Sequence, residues 1–257
     1  MPPLGEGGAV RVPRRVSCSG YYHVVVKGDG RQAIFEDDAD RRTFLRLAER
    51  CFAEAGISVI AWCLMENYVH LVLRDDADGL SAAMHRLETA YARHYNDRSG
   101  RVGHLFRERF MSSPIESDAY LLEAVRYVHN NPEKAGVCRA EEYPWSSYRA
   151  YATPGSACGL TVDTSVVLEM LGGEKNFVEF AAERGPRAYR PPSGKRLDES
   201  EARDVAEQVL GGTALAEVKA LPVGRRNQLL RDLRAAGLSV RQVERLTGVG
   251  RNIVARA

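Results

Sequence analysis

The sequence predicts an α+β fold followed by a small all-α unit, and two patterns carry that expectation. Between residues 18 and 150, short β-branched and aromatic runs alternate with stretches whose apolar residues recur at helical spacing. From residue 198 onward only helical spacing remains, and arginines crowd together. A length of 257 residues suffices for one large domain or two small ones. The expected divisions are 18–150, a connecting segment over 151–197, and 198–257.

Residues 1–17, rich in Gly, Pro and Arg, read as a loosely attached arm. Tyr21-Tyr22-His23-Val24-Val25-Val26-Lys27 predicts a strand, stopped by Gly28-Asp29-Gly30. A helix follows, capped by Asp38 or Asp40, with Phe44, Leu47, Ala48, Cys51 and Phe52 on one face and Gly56 ending it. Ile57 to Met65 reads as a second strand and Tyr68 to Leu73 as a third, joined by a tight turn at Met65-Glu66-Asn67. Leu80, Met84, Leu87, Tyr91 and Tyr95 mark a second helix, and the alternation of His104 to Met111 predicts a fourth strand. Ser117 or Asp118 caps a helix over Ala119–Asn131 that must end before Pro132.

This order is the ferredoxin-like split βαβ arrangement, an antiparallel sheet with helices on one face. The other face is expected to be free for a site or a nucleic-acid platform. Trp145 and Tyr148 should pack their segment back on the core. Short helices are expected near 164–171 and 176–184, and residues 185–195 read as a linker by composition.

The composition, 44% hydrophobic and 27% charged with a net charge of +2, is that of an ordinary globular protein. The distribution of charge says more than its sum. From Arg225 to Ala257 eight arginines face Asp232 and Glu244, a net of +6. Within that stretch Ser239 should cap a helix, Gly248 should turn it, and Val240, Val243, Leu246, Val249, Ile253 and Val254 should pack it against a second. The pattern resembles a bacterial helix-turn-helix, which implies duplex DNA as partner. Arg251, Asn252 and Arg256 are its candidate base contacts, with Arg241 and Arg245 near phosphates.

The five cysteines are odd in number and scattered, which argues against a disulfide framework or a zinc site. No apolar run approaches the ~20 residues needed to span a bilayer. No secretion signal is seen, so a cytoplasmic protein without a membrane partner is expected.

Tyr68 and His70 lie two apart on the third strand and so face the same way. Two histidines at that spacing would make a pair of metal ligands, and here a phenol fills one place. Tyr127 and Asn131, four apart on a helix, share a face. A tyrosine beside such a cluster is a plausible nucleophile for a phosphodiester. His23, on the first strand, could approach the same place, whereas helical spacing puts His129 off that face as an exposed or capping residue. Phe106 and Phe110 read as core, and Arg107 and Arg109 as solvated or phosphate-bound.

The stretches Trp62–Leu71, Gly103–Phe110, Tyr127–Gly136 and Tyr143–Tyr148 resemble the single-tyrosine HUH transposases, specifically the REP-associated type. The resemblance covers about residues 18–150 and rests on four motifs in the right order. It implies a nuclease core that binds single-stranded DNA hairpins, cuts through its tyrosine to leave a covalent 5′-phosphotyrosine, and rejoins strands with Mg2+ or Mn2+. It puts the nucleophile on Tyr127 and metal ligands on His70 and Asn131, with Tyr68 standing where the family has a histidine. A phenol with a pKa near ~10 is a poor divalent-ion ligand at neutral pH. The alternative is therefore a catalytically impaired DNA-binding protein or regulator that keeps the hairpin platform. An RNA-binding sheet is a third reading, disfavoured by the lack of an exposed aromatic pair. A monomer and a homodimer are both compatible with the sequence.

Overall fold

In the computed structural model, residues 16–153, 155–156, 159–183, 199–211 and 213–257 are described. The expected arm and linker fall almost entirely outside them. Strands β1 (Tyr21–Lys27), β2 (Ser58–Leu64), β3 (Tyr68–Arg74) and β4 (Met111–Ile115) form one antiparallel sheet in the order β2-β3-β1-β4. Helix α1 (Asp38–Glu54) joins β1 to β2, and α2 (Leu80–Ser99) joins β3 to β4. The split βαβ expectation therefore holds, because β3 lies between β1 and β2.

Side-chain alternation sorts the two faces. Tyr22, Val24 and Val26 of β1 and Val69, Leu71 and Leu73 of β3 are buried with Phe44, Phe52, Leu87 and Tyr91 of α1 and α2. The Asp37 carboxylate caps α1 by accepting from the Ala39 and Asp40 amides, so the cap is not the expected Asp38 or Asp40 but the residue just before Asp38. Asp40 is buried instead and accepts an ion pair from Arg98 of α2 at 2.6 Å, tying the two helices together.

The opposite face is not free. Helix α3 (Asp118–His129), capped by the Ser117 hydroxyl, lies across it, and Leu121, Ala124, Val125 and Val128 are buried with Ile60, Ala61, Cys63 and Val72. A period-2 strand shows that a face is apolar but not which later helix covers it. After Asn130 a short helix α4 (Asn131–Lys134) follows. Helices α5 (Tyr148–Ala152), α6 (Ser165–Leu171) and α7 (Glu174–Ala182) extend the second core through Tyr148, Tyr151, Val167 and Phe177. The Trp145 carbonyl accepts from the Leu64 amide, so this segment does fold back on β2.

The fourth strand lies later than its alternation suggested. Residues 104–110 are irregular, joined to β1 by a bridge between Phe106 and Gly28, and the ladder partner of β1 is Met111–Ile115. Both stretches alternate, and register with β1 selects the second.

Helices α8 (Glu199–Val209), α9 (Val223–Ala235), α10 (Val240–Thr247) and α11 (Arg251–Arg256) have a hydrophobic cluster of their own, built on Val205, Leu230, Leu233, Val243, Val249 and Val254. Ser239 and Gln242 form a capping box at the start of α10, and Gly248 ends it at φ 68°, both as expected. Ile253 departs from the expectation. It is 42% exposed, because α11 turns Val254 inward.

Candidate active site

The pleat of β1 and β3 directs His23 and His70 to the face under α3. Val25 pairs with His70 and Val72 with His23, so the two histidines sit on a diagonal of neighbouring strands. Their rings meet, with His23 Nε2 2.9 Å from His70 Nδ1. One nitrogen carries the shared proton and the other accepts it. Both side chains are buried, and burial pushes the His70 pKa down to about 3 and that of His23 well below its ordinary value.

Tyr127 descends from α3 onto this pair, its ring centre 5.4 Å from His70 and 5.9 Å from His23. The Tyr68 ring closes the other side at 5.2 Å from His70. Tyr68 donates its hydroxyl proton to Asn131 Oδ1 at 2.8 Å, while the Asn131 amide nitrogen donates to the Tyr127 carbonyl. Burial pushes the Tyr68 phenol up to about 12, so it is neutral at physiological pH. Burial also raises Tyr127, and a side-chain hydrogen bond with Asn131 pulls it back down. The Lys134 ammonium sits 3.8 Å from the centre of the Tyr127 ring.

Tyr68, His70, Tyr127 and Asn131, predicted separately from two segments, are thus brought together. His23 joins them as part of a buried pair. Lys134 was missed, because it lies on α4 beyond the end of α3 and beyond Pro132, where helical spacing from Tyr127 does not carry. His129 is corrected. It is fully buried, 2.7 Å from Ser147 Oγ and ringed by Tyr148, Tyr151 and Phe177, because α3 is covered on that side by α5 and α7. Arg107 and Arg109 are exposed on the irregular 104–110 segment. Arg241, Arg245, Asn252 and Arg256 are exposed on α10 and α11, while Arg251 pairs with Glu244 at 3.2 Å.

The family model described as "Transposase IS200 like" matches residues 17–131. That stretch, somewhat under half of the chain, is similar to the IS200-like transposases. The matched segment runs from the start of the sheet to Asn131 and so contains each of Tyr68, His70, Tyr127 and Asn131. Among solved structures, a REP-associated tyrosine transposase bound to a REP hairpin is similar over 61% of this chain and 94% of its own, at 15% identity and a TM-score of 0.48. A putative transposase from Deinococcus radiodurans R1 is similar over 49% of this chain and 97% of its own, at 19% identity and a TM-score of 0.32. A comparison with curated proteins finds no match.

The candidate site does not suit the divalent ion that the resemblance implies. Among the described residues no three His, Cys, Asp or Glu side chains gather where they could hold an ion. Of the expected ligands, Asn131 Oδ1 is occupied by the Tyr68 proton and Tyr68 is a neutral phenol. That leaves the imidazole of His70 as the one strong donor, and hard cations such as Mg2+ favour carboxylates. Both charges that act on His70 are the ammonium groups of Lys27 and Lys134, which repel a cation. Among the described residues no helix is long and apolar enough to cross a membrane.

Proposed function

We propose that the chain is a DNA strand transferase that acts on single-stranded DNA at hairpins, with Tyr127 as nucleophile. The observation that supports this reading is the seat of Tyr127, over the His23–His70 pair and between Asn131 and Lys134. The hairpin named with the REP-associated structure and the family match over 17–131 point the same way.

The step is a transesterification. The Tyr127 oxygen forms a bond to phosphorus, the bond from phosphorus to the 3′ oxygen breaks, and the phenol proton ends on that oxygen. A 5′-phosphotyrosine and a free 3′ hydroxyl result, and reversal by a second strand end rejoins DNA. Asn131 lowers the cost of the phenolate by donating to it, and Lys134 by its charge above the ring. A hairpin with a single-stranded flank, taken from sequences flanking the gene, should form a covalent adduct that Tyr127→Phe abolishes. Absence of any adduct across such hairpins, with and without Mg2+ or Mn2+, would refute cleavage.

The substitution at Tyr68 supports a second reading, a DNA-binding protein or regulator that keeps the hairpin platform without cutting. Tyr68→His separates the two, since cleavage gained from none would mark the natural chain as inactive. In either reading α10 and α11 are proposed as a duplex-binding helix-turn-helix, using Arg241, Arg245, Arg251, Asn252 and Arg256. Arg245→Ala should weaken duplex binding at all sequences and lower the salt dependence by about one phosphate contact.

A further inference from the structure

We infer that this site handles the DNA phosphate without a divalent ion, and that the Lys134 ammonium supplies the positive charge in its place. The inference rests on the proposed DNA phosphate reading of the site. Three observations carry it. The first is what became of the family's ligand positions: the Tyr68 hydroxyl and the Asn131 carbonyl oxygen bond to each other at 2.8 Å. An ion would have to break that bond and would gain an amide oxygen and a neutral phenol, both weak ligands.

The second is the partnering of Lys134. Its ammonium lies 3.8 Å from the centre of the Tyr127 ring and makes no ion pair among the described residues. The neighbouring acid on α3, Glu123, is instead 2.9 Å from Arg126, which also reaches Glu183. Burial lowers the Lys134 pKa and the nearby Glu123 carboxylate counters that; with no salt bridge among the described residues, the ammonium stands beside the Tyr127 ring where an incoming anion would meet it. The third is the local field. Lys27, at the end of β1 and paired in register with Tyr68, adds a second ammonium whose charge acts on His70. Two ammonium groups near the site suit a phosphate and oppose Mg2+.

Tyr68 is then a positioning residue. By donating to Asn131 Oδ1 it fixes which way the amide points, and the amide nitrogen is left on the Tyr127 side.

The test uses the full chain and a hairpin oligonucleotide with a single-stranded flank. Adduct formation is followed in EDTA, in Mg2+ and in Mn2+, and Mn2+ binding to the protein without DNA is read by electron paramagnetic resonance. The expected result is an adduct of similar rate in all three, and no saturable Mn2+ binding. Lys134→Ala should slow adduct formation by about a hundredfold, the scale of losing one charge-stabilising donor, while Lys134→Arg restores most of it. Lys134→Ala should also lower the salt slope of hairpin binding by about 0.7, one phosphate contact to a single strand.

An adduct that forms only with metal, or stoichiometric Mn2+ binding removed by His70→Ala, overturns the inference while leaving strand cleavage standing. No adduct under any condition refutes cleavage instead. The salt slope of Lys134→Ala then decides by itself whether Lys134 meets a phosphate: an unchanged slope overturns the inference and a lowered one supports it.

Discussion

Replacing His129 with glutamine should change how stability responds to pH, and the structure fixes both the sign and the size. His129 is fully buried, and burial holds its pKa down at about 3, against about 6.5 in the unfolded chain. The hydrogen bonds explain why the neutral form suffices. The Ser147 hydroxyl accepts from the Trp62 amide and can donate to the Trp62 carbonyl, so His129 Nε2–H donates to Ser147 Oγ. His129 Nδ1 is left without a partner among the rings of Tyr148, Tyr151 and Phe177, a bare lone pair that need not be protonated.

A histidine whose folded pKa is depressed contributes its full stability above the unfolded value and loses it as pH falls towards the folded one. Between pH 7.5 and 5.0 the loss is about 2 kcal/mol, at about 1.4 kcal/mol per pH unit below 6.5. Glu88 opposes this trend. Burial pushes its carboxyl up to about 7, so it takes up a proton in the same range and gains stability. The informative quantity is therefore the difference between the natural chain and His129→Gln, which keeps an N–H donor for Ser147 but has nothing to titrate. Urea unfolding at the two pH values should show the natural chain losing about 2 kcal/mol more than the variant, roughly 0.7–1 M in midpoint. Parallel pH dependences would refute the claim that this imidazole is held neutral.

Further outcomes are expected elsewhere. Ser147→Ala removes three hydrogen bonds at once in the buried contact between β2 and α3, and should cost about 2–4 kcal/mol in urea unfolding. Tyr68→Phe leaves Asn131 Oδ1 without the phenol proton. It should cost about 1 kcal/mol of stability and slow adduct formation without altering hairpin affinity, and an unchanged adduct rate would count against the positioning role. Ser239→Ala breaks the capping box of α10 and should cost about 1 kcal/mol, read as a lowered melting temperature for the helical 199–257 segment.

Much of this molecule was legible before its structure. The alternation of Tyr22, Val24 and Val26 and the helical spacing of Phe44, Leu87 and Tyr91 predict the larger core, since period and burial are local properties. Tyr68 with His70, and Tyr127 with Asn131, were readable as same-face pairs for the same reason. Residues in contact across the sheet were harder. His23 reaches His70 only through strand register, and β4 begins at Met111 because pairing with β1, rather than alternation, selects it. Likewise Asp37, not Asp38, caps α1 because geometry at the helix start chooses the side chain that can reach forward to the first free amides, those of Ala39 and Asp40.

The sequence by itself determined the order of strands and helices, the segment that resembles the transposases, and the presence of a tyrosine where that resemblance expects a histidine. Tertiary structure alone decided what that tyrosine does. Its hydroxyl meets Asn131 from another element, His23 closes on His70 from a neighbouring strand, and Lys134 settles over Tyr127. A hydrogen bond and an electrostatic field depend on distances of a few ångströms between residues far apart in the chain, and no local pattern encodes those.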